Sequence, residues 1–302
     1  MPTHVWLLHP GGPSPEQPKK EHLKEQLLDP LVLTSIPGFL KPIWIWFLLY
    51  FRMKTPLISG PCSSFAEAEK HAQELVRLLG PDFVCHTIHR YGSDSMNVAL
   101  HRTPSKSPVI LFPLIPHRCS TLYSILEQSR TALRAKKNHI VEVGSYATDP
   151  QFTESVASLI RRAIIRLDGA REYAILFVLQ RQPENWKSPP KEYYNDAHKS
   201  YQKIMHILGR HQPHALHYPN TKELNQELRG WHQTGCRALI TVPLSWICHA
   251  QSLEEQVQSQ LHQYASEIGF TTIESSSPTM YSPVFYQFLV DKILSLQEEL
   301  EA

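Results

Sequence analysis

Short apolar runs alternate along the chain with stretches whose apolar residues recur every three or four positions. The runs predict β-strands and the stretches predict amphipathic helices. The run YAILFVL has no polar position, which is typical of a parallel strand covered on both faces. The predicted strands share this apolar character and lie at residues 5–8, 84–89, 109–116, 139–143, 173–179 and 237–244.

Several predicted helices have clear start and stop signals. Ser64 and Glu67 form a capping box ahead of an apolar face, and Gly80 ends that helix. Asp149 and Pro150 predict the N-cap and first position of another helix. A second capping box, Ser252 with Glu255, opens a predicted helix that runs to Gly269, and further helices are predicted at residues 122–133, 193–208 and 283–299.

Because strand and helix alternate twice over, we predict an α/β fold of two doubly wound, Rossmann-like domains with parallel sheets. The expected domains are residues 1–150 and 151–302, and the last helix is a candidate to pack back onto the first domain. Ligands of such sheets bind beyond the carboxyl ends of the strands. This rule predicts one cleft, lined by the loops after Leu8, Leu114, Leu179 and Leu244.

Composition narrows the class of protein. The chain has 302 residues, 42% of them hydrophobic, and a net charge of +2 without a basic stripe, so it can bury a core and gives no case for nucleic-acid binding. Five cysteines with no C-x-x-C pair argue against a disulfide framework or a structural zinc site. A reduced, cytoplasmic location is the expectation.

The most apolar run is IWIWFLLYF, which begins at Ile43 and ends at Phe51. It is much shorter than the ~20 residues of a membrane-spanning helix, so no transmembrane segment is predicted. Three alternatives stay open for this run: a buried helix, a lip that makes a peripheral membrane contact, or a pocket wall.

Candidate chemistry is limited. The Gly-Gly turn at residues 11–12 has neither G-x-G-x-x-G nor a Walker lysine, and no G-x-S-x-G elbow exists. Two pairs at strand ends, Cys248 with His249 and His117 with Cys119, offer either a cysteine nucleophile beside a histidine or ligands for a divalent metal. The alternative for each pair is a buried thiol beside a solvent-facing imidazole.

Motifs in a recognisable order run along nearly the whole chain: VWLLHPGGP, LLDPLVLTSIPGFLKP, HRYG, LFPLIPHRCSTLYS and GSYATDPQFTESVASLI. In this order they resemble the ferrochelatase family, whose members insert ferrous iron into a porphyrin. The resemblance implies a porphyrin held in the cleft between the two domains. It implies that the porphyrin contacts Pro10, Gly11, Arg90, Tyr91 and His117.

The chain departs from the family at the catalytic positions. Where members have F-S-A-H-G-x-P, this chain has FVLQRQP, so Gln180 replaces the histidine. Where members have F-V-S-D-H-x-E-T-L, this chain has WICHAQSL, so His249 matches the histidine and Gln251 replaces the glutamate. By resemblance, Gln180, His249 and Gln251 occupy the catalytic positions and His249 is the metal ligand. An amide cannot accept a proton at a useful pH, so catalysis is expected to be impaired or altered.

Three hypotheses stay open. The chain is a divergent ferrochelatase of haem biosynthesis with Fe²⁺ and porphyrin as substrates, a non-catalytic porphyrin or haem carrier or regulator (a pseudoenzyme), or an interaction protein whose pocket has closed. No permanent cofactor is expected. An iron–sulfur cluster is not expected either, because Cys248 is the last cysteine. A monomer and a homodimer are both compatible with the sequence.

Overall fold

The computed structural model contains two separate four-stranded parallel sheets. The first has the order β2-β1-β3-β4, with β1 (Thr3–His9), β2 (Phe83–His89), β3 (Pro108–Pro113) and β4 (His139–Glu142). The second has the order β6-β5-β7-β8, with β5 (Tyr173–Val178), β6 (His214–His217), β7 (Ala238–Pro243) and β8 (Thr272–Ser275). The structure describes residues 1–9, 39–40, 42–43, 46–47, 64–89, 95–167, 172–179, 190–209, 211–218, 221–245, 251–276, 279 and 282–301.

Helices connect and flank the strands. They are α1 (Ser64–Leu79), α2 (Ser95–Arg102), α3 (Ser120–Ala135), α4 (Pro150–Arg166), α5 (Pro190–Leu208), α6 (Lys222–Gln233), α7 (Gln251–Ile268) and α8 (Pro283–Glu301). The two parallel sheets with their helices confirm the predicted α/β class with two Rossmann-like units. We call β1–β4 with α1–α3 the first half and β5–β8 with α5–α7 the second half.

Three of the four central strands are buried along their whole length. All seven residues of β1 and all six of β5 and of β7 are buried. A strand covered on both faces has no solvent-facing position for a polar side chain, which explains the continuous apolar run of β5.

Two of the predicted helix signals, the start of α4 and the end of α1, are present in the structure. Asp149 caps α4, and its carboxylate accepts hydrogen bonds from the backbone N–H groups of Gln151 and Phe152. Pro150 occupies the first turn, where no intrahelical donor is needed. Gly80 has a φ of 90°, a conformation that glycine adopts without steric cost, and α1 ends immediately before it.

The helices α4 and α8 cross between the halves. Although α4 follows β4 in the chain, it packs against β7 and β8, whereas α8 follows β8 and packs against β3, β4 and α1. Each helix therefore covers the sheet of the other half. Where they meet, a cluster of aromatic rings joins the two crossing helices to the first sheet, and it consists of Phe112, Tyr146, Phe152, Phe285 and Phe288.

Four elements have no counterpart among those predicted from the sequence. The strands β6 and β8 have four residues each and are largely half-buried, and α2 buries only Ala99, so their apolar patterns are weak. The helix α6 did carry a signal, because Leu224, Leu228 and Trp231 form a buried stripe at helical spacing. The strand predicted at 109–116 ends earlier, at Pro113.

Within the described part of the chain, no helix combines the length and the apolar character needed to cross a membrane. The side chains of Phe39, Ile43 and Trp46 are exposed to 79%, 65% and 67%. Ile43 and Trp46 belong to the apolar run for which a lip was one alternative, and Phe39 precedes that run.

Candidate functional site

Much of the site predicted from the sequence lies outside the described residues. This applies to Pro10, Gly11, Arg90, Tyr91, Gln180, Cys248 and His249. Gln251 is the first residue of α7. His117 and Cys119, which follow β3, are described in full and both are buried.

His117 lies inside the junction between the two halves. Its side chain is fully buried, with the rings of Tyr193 and Phe152 packed edge-on at centroid distances of 5.8 and 6.5 Å. Burial lowers the pKa of His117 to about 4, although the carboxylate of Asp196 opposes this effect. The imidazole is therefore neutral at physiological pH. With no exposed surface, it can reach a ligand only if the junction opens.

The hydrogen bonds around His117 decide which ring nitrogen carries the proton. The hydroxyl of Ser200 lies 2.5 Å from the carbonyl oxygen of Ala147 and 3.1 Å from that of Asp196, and carbonyl oxygens only accept. The single hydroxyl proton is used there, so Ser200 Oγ must accept from His117 Nε2–H at 3.3 Å. His117 Nδ1 then holds a lone pair, and it has no hydrogen-bond partner among the described residues.

Next to His117, an ion pair also spans the junction. Arg118 of the first half donates to Asp196 of α5 through Nε at 2.9 Å and Nη2 at 2.7 Å, and its backbone N–H donates to the same carboxylate at 3.1 Å. Burial raises the pKa of the Asp196 carboxyl, but the hydrogen bonds from Arg118 outweigh burial and hold this pKa below its usual value. The pair is therefore charged at neutral pH.

A second histidine group lies at the carboxyl edge of the first sheet and was missed in the sequence. His9 and His89 end the neighbouring strands β1 and β2, and their ring centroids are 5.2 Å apart. Burial lowers the pKa of His9 to about 4 and that of His89 to about 3, so both are neutral at physiological pH. The sequence signal that could have identified this group is that each of the two adjacent strands ends in a histidine.

No three His, Cys, Asp or Glu side chains of the described residues are grouped so that they could hold a metal ion. A cavity of about 240 Å³ lies between α6 and α7 and is lined by Arg229, His232, Gln233, Tyr264, Glu267 and Ile268. These residues belong to the last turns of their helices, which lead into the amino ends of β7 and β8. The cavity is therefore at the opposite edge of the sheet from the predicted site.

Two similar proteins cover nearly the whole chain. The ferrochelatase of Geotalea uraniireducens (strain Rf4) is 25% identical over 316 residues, which is 96% of this chain and 97% of that protein. The ferrochelatase of Geobacter metallireducens (strain ATCC 53774 / DSM 7210 / GS-15) is 25% identical over 313 residues, with the same coverage of 96% and 97%.

Solved structures of chelatases share the fold. SirB from Bacillus subtilis with Fe³⁺ has a TM-score of 0.59 at 11% identity, covering 97% of this chain and 94% of that chain. The sirohydrochlorin chelatase SirB from Bacillus subtilis subspecies spizizenii in complex with cobalt has a TM-score of 0.56 at 10% identity, covering 96% and 93%. Identities this low support a shared fold alone. Residues 3–296 match the family model Ferrochelatase, and the chain therefore belongs to the ferrochelatase family.

Proposed function

We propose that the protein inserts ferrous iron into a porphyrin held between its two domains, residues 1–150 and 151–302. The observation that carries this proposal is the match to the ferrochelatase family over residues 3–296. Membership of the family and a chelatase-like fold support the broader activity, insertion of a metal ion into a tetrapyrrole. Iron and porphyrin are the specific choices proposed here.

The reaction defines what the residues must do. Four metal–nitrogen bonds form while two pyrrole N–H bonds break, and the two protons must pass to an acceptor. Gln180 and Gln251 stand at the family's histidine and glutamate positions, and neither amide can accept a proton. We therefore propose that His249 accepts the first pyrrole proton or binds the metal ion. The lone pair of His117 Nδ1 is a second candidate acceptor if the junction opens.

Loss of one general base commonly lowers a rate by about 10²–10⁴-fold. Two ionisable groups are replaced in this chain, so we propose that metallation is slow. The two glutamines also favour a second function, binding of porphyrin or haem without catalysis. His249 or Cys248 would then ligate the haem iron axially.

The proposed location is the cytoplasm, with contact at a membrane surface through the stretch from Ile43 to Phe51. The exposure of Ile43 and Trp46 supports this contact, because exposed apolar side chains bind at the boundary of a lipid layer. The proposed partner is the tetrapyrrole, and no nucleic-acid partner is proposed.

The test is a titration of the purified protein with protoporphyrin and with coproporphyrin, followed by ferrous iron without oxygen, with an absorbance spectrum at each step. Binding and then catalysed metallation are expected, and His249→Ala should bind porphyrin but lose metallation. The matched control is His139→Ala, at an exposed position of β4. Binding without metallation would leave the carrier function, and a wild-type protein that binds neither porphyrin would contradict both functions.

A further inference from the structure

The amino-terminal part of α5 contacts loops at the carboxyl edges of both sheets. Asp196 bonds to Arg118 in the loop after β3, and its carboxylate lies 3.3 Å from the hydroxyl of Ser145, which follows β4. Ser200, one turn later, bonds to His117 and to the carbonyl of Ala147. On the side of the second sheet, the hydroxyl of Tyr193 is hydrogen-bonded to that of Ser245, which follows β7.

Asp196 is the centre of these contacts. It is 5% exposed and accepts three hydrogen bonds from Arg118, which use both of its oxygens. A bidentate arginine–carboxylate pair fixes direction as well as distance, which a lysine or an amide does not. The pair therefore sets the position of α5 relative to the loop that carries His117.

We infer that Asp196 is a positioning residue that, through Arg118, holds the two halves at the spacing at which they bind a tetrapyrrole. The inference rests on the proposed function. Asp196 itself need not touch the ligand. If the pair is lost, α5 and the loop at residues 114–119 move more freely, and a smaller fraction of molecules has the binding-competent arrangement.

A purely stabilising ion pair would behave differently. Its loss would lower the free energy of unfolding without a selective effect on affinity, as expected for pairs confined to one half. The pair between Arg130 of α3 and Glu142 of β4 provides this comparison, because it also has bidentate geometry, with distances of 2.7–3.2 Å, and lies within the first half.

The experiment compares Asp196→Asn, Arg118→Gln, the double variant and the control Glu142→Gln. Coproporphyrin affinity is measured by fluorescence titration, and amide hydrogen exchange is measured without ligand. Asp196→Asn and Arg118→Gln are each expected to weaken binding about ten-fold or more. The double variant should be no worse than either single variant, because both remove one interaction. Glu142→Gln should keep wild-type affinity.

Hydrogen exchange separates this inference from the proposed function. In Asp196→Asn, amide exchange should become faster both in the amino-terminal part of α5 and in residues 114–119. In Glu142→Gln, exchange in these two segments should match that of the wild type. Unchanged exchange in both segments overturns the inference, as do additive losses of affinity in the double variant. A wild-type protein that binds no tetrapyrrole overturns the proposed function, and the exchange result then still decides whether the pair positions α5.

Discussion

At the scale of single residues, the sequence located His117 at a strand end but could not give its protonation. The neutral state follows from burial between the halves, and the tautomer follows from Ser200, which is 83 positions away in the chain. Neither the burial of His117 nor its contact with Ser200 is visible in the local sequence pattern. The same holds for Asp196, whose partner Arg118 is 78 positions away. The candidate positions could be predicted, whereas their electrostatic environment depends on tertiary contacts.

The tautomer of His117 gives a first prediction. Ser200→Ala removes the acceptor of the Nε2–H bond and leaves a buried donor unsatisfied, so we expect a loss of about 1–3 kcal/mol in the free energy of unfolding. The ¹⁵N chemical shifts of the His117 ring should indicate an unprotonated Nδ1 in the wild type and a mixture of tautomers in the variant.

Ser129→Ala is the control for this prediction. Ser129 is also fully buried, but its hydroxyl has no hydrogen-bond partner among the described residues. Its removal should change stability little. A wild-type spectrum with a protonated Nδ1 would contradict the assigned tautomer.

At the scale of elements, the sequence predicted best the elements with strong local signals. The helix α4 begins at Pro150, as the Asp149–Pro150 signal indicated, and Phe152, Val156 and Ile160 on its inner face are buried. The strands β6 and β8 escaped because their short sequences, HALH and TIES, contain few apolar residues. An edge position alone does not explain this, because the edge strands β2 and β4 were predicted.

The cap of α4 gives an element-scale prediction. Asp149→Ala removes the acceptor of the N–H groups of Gln151 and Phe152, and we expect a loss of about 1 kcal/mol on unfolding by urea. Asp149→Asn keeps a good capping side chain and should recover most of the loss. Equal losses in the two variants would show that the carboxylate acts through charge and not as a cap.

At the scale of the whole molecule, buried neutral histidines predict sensitivity to acid. The pKa values of His9, His86 and His117 are lowered to about 4 and that of His89 to about 3, in each case mainly by burial. In the unfolded chain these groups titrate near 6.5. Between these values the unfolded chain binds more protons than the folded chain, so stability falls as the pH decreases from about 6.5 to about 4.

For His117 alone this loss amounts to about 3 kcal/mol. The measurement is the free energy of unfolding as a function of pH. His117→Gln should give a shallower dependence than the wild type, and His139→Gln, at an exposed position, should leave it unchanged. If the His117→Gln curve is as steep as that of the wild type, His117 does not contribute to the acid sensitivity.

The crossing of α4 and α8 has a consequence for synthesis on the ribosome. The first sheet leaves the ribosome early, but α8, at residues 283–301, supplies part of its cover, including Phe285 and Phe288 of the aromatic cluster. Until α8 has emerged from the exit tunnel, one face of that sheet is incompletely covered. The nascent first half is therefore expected to expose apolar surface up to that point, and it is the part of the chain that a chaperone would recognise.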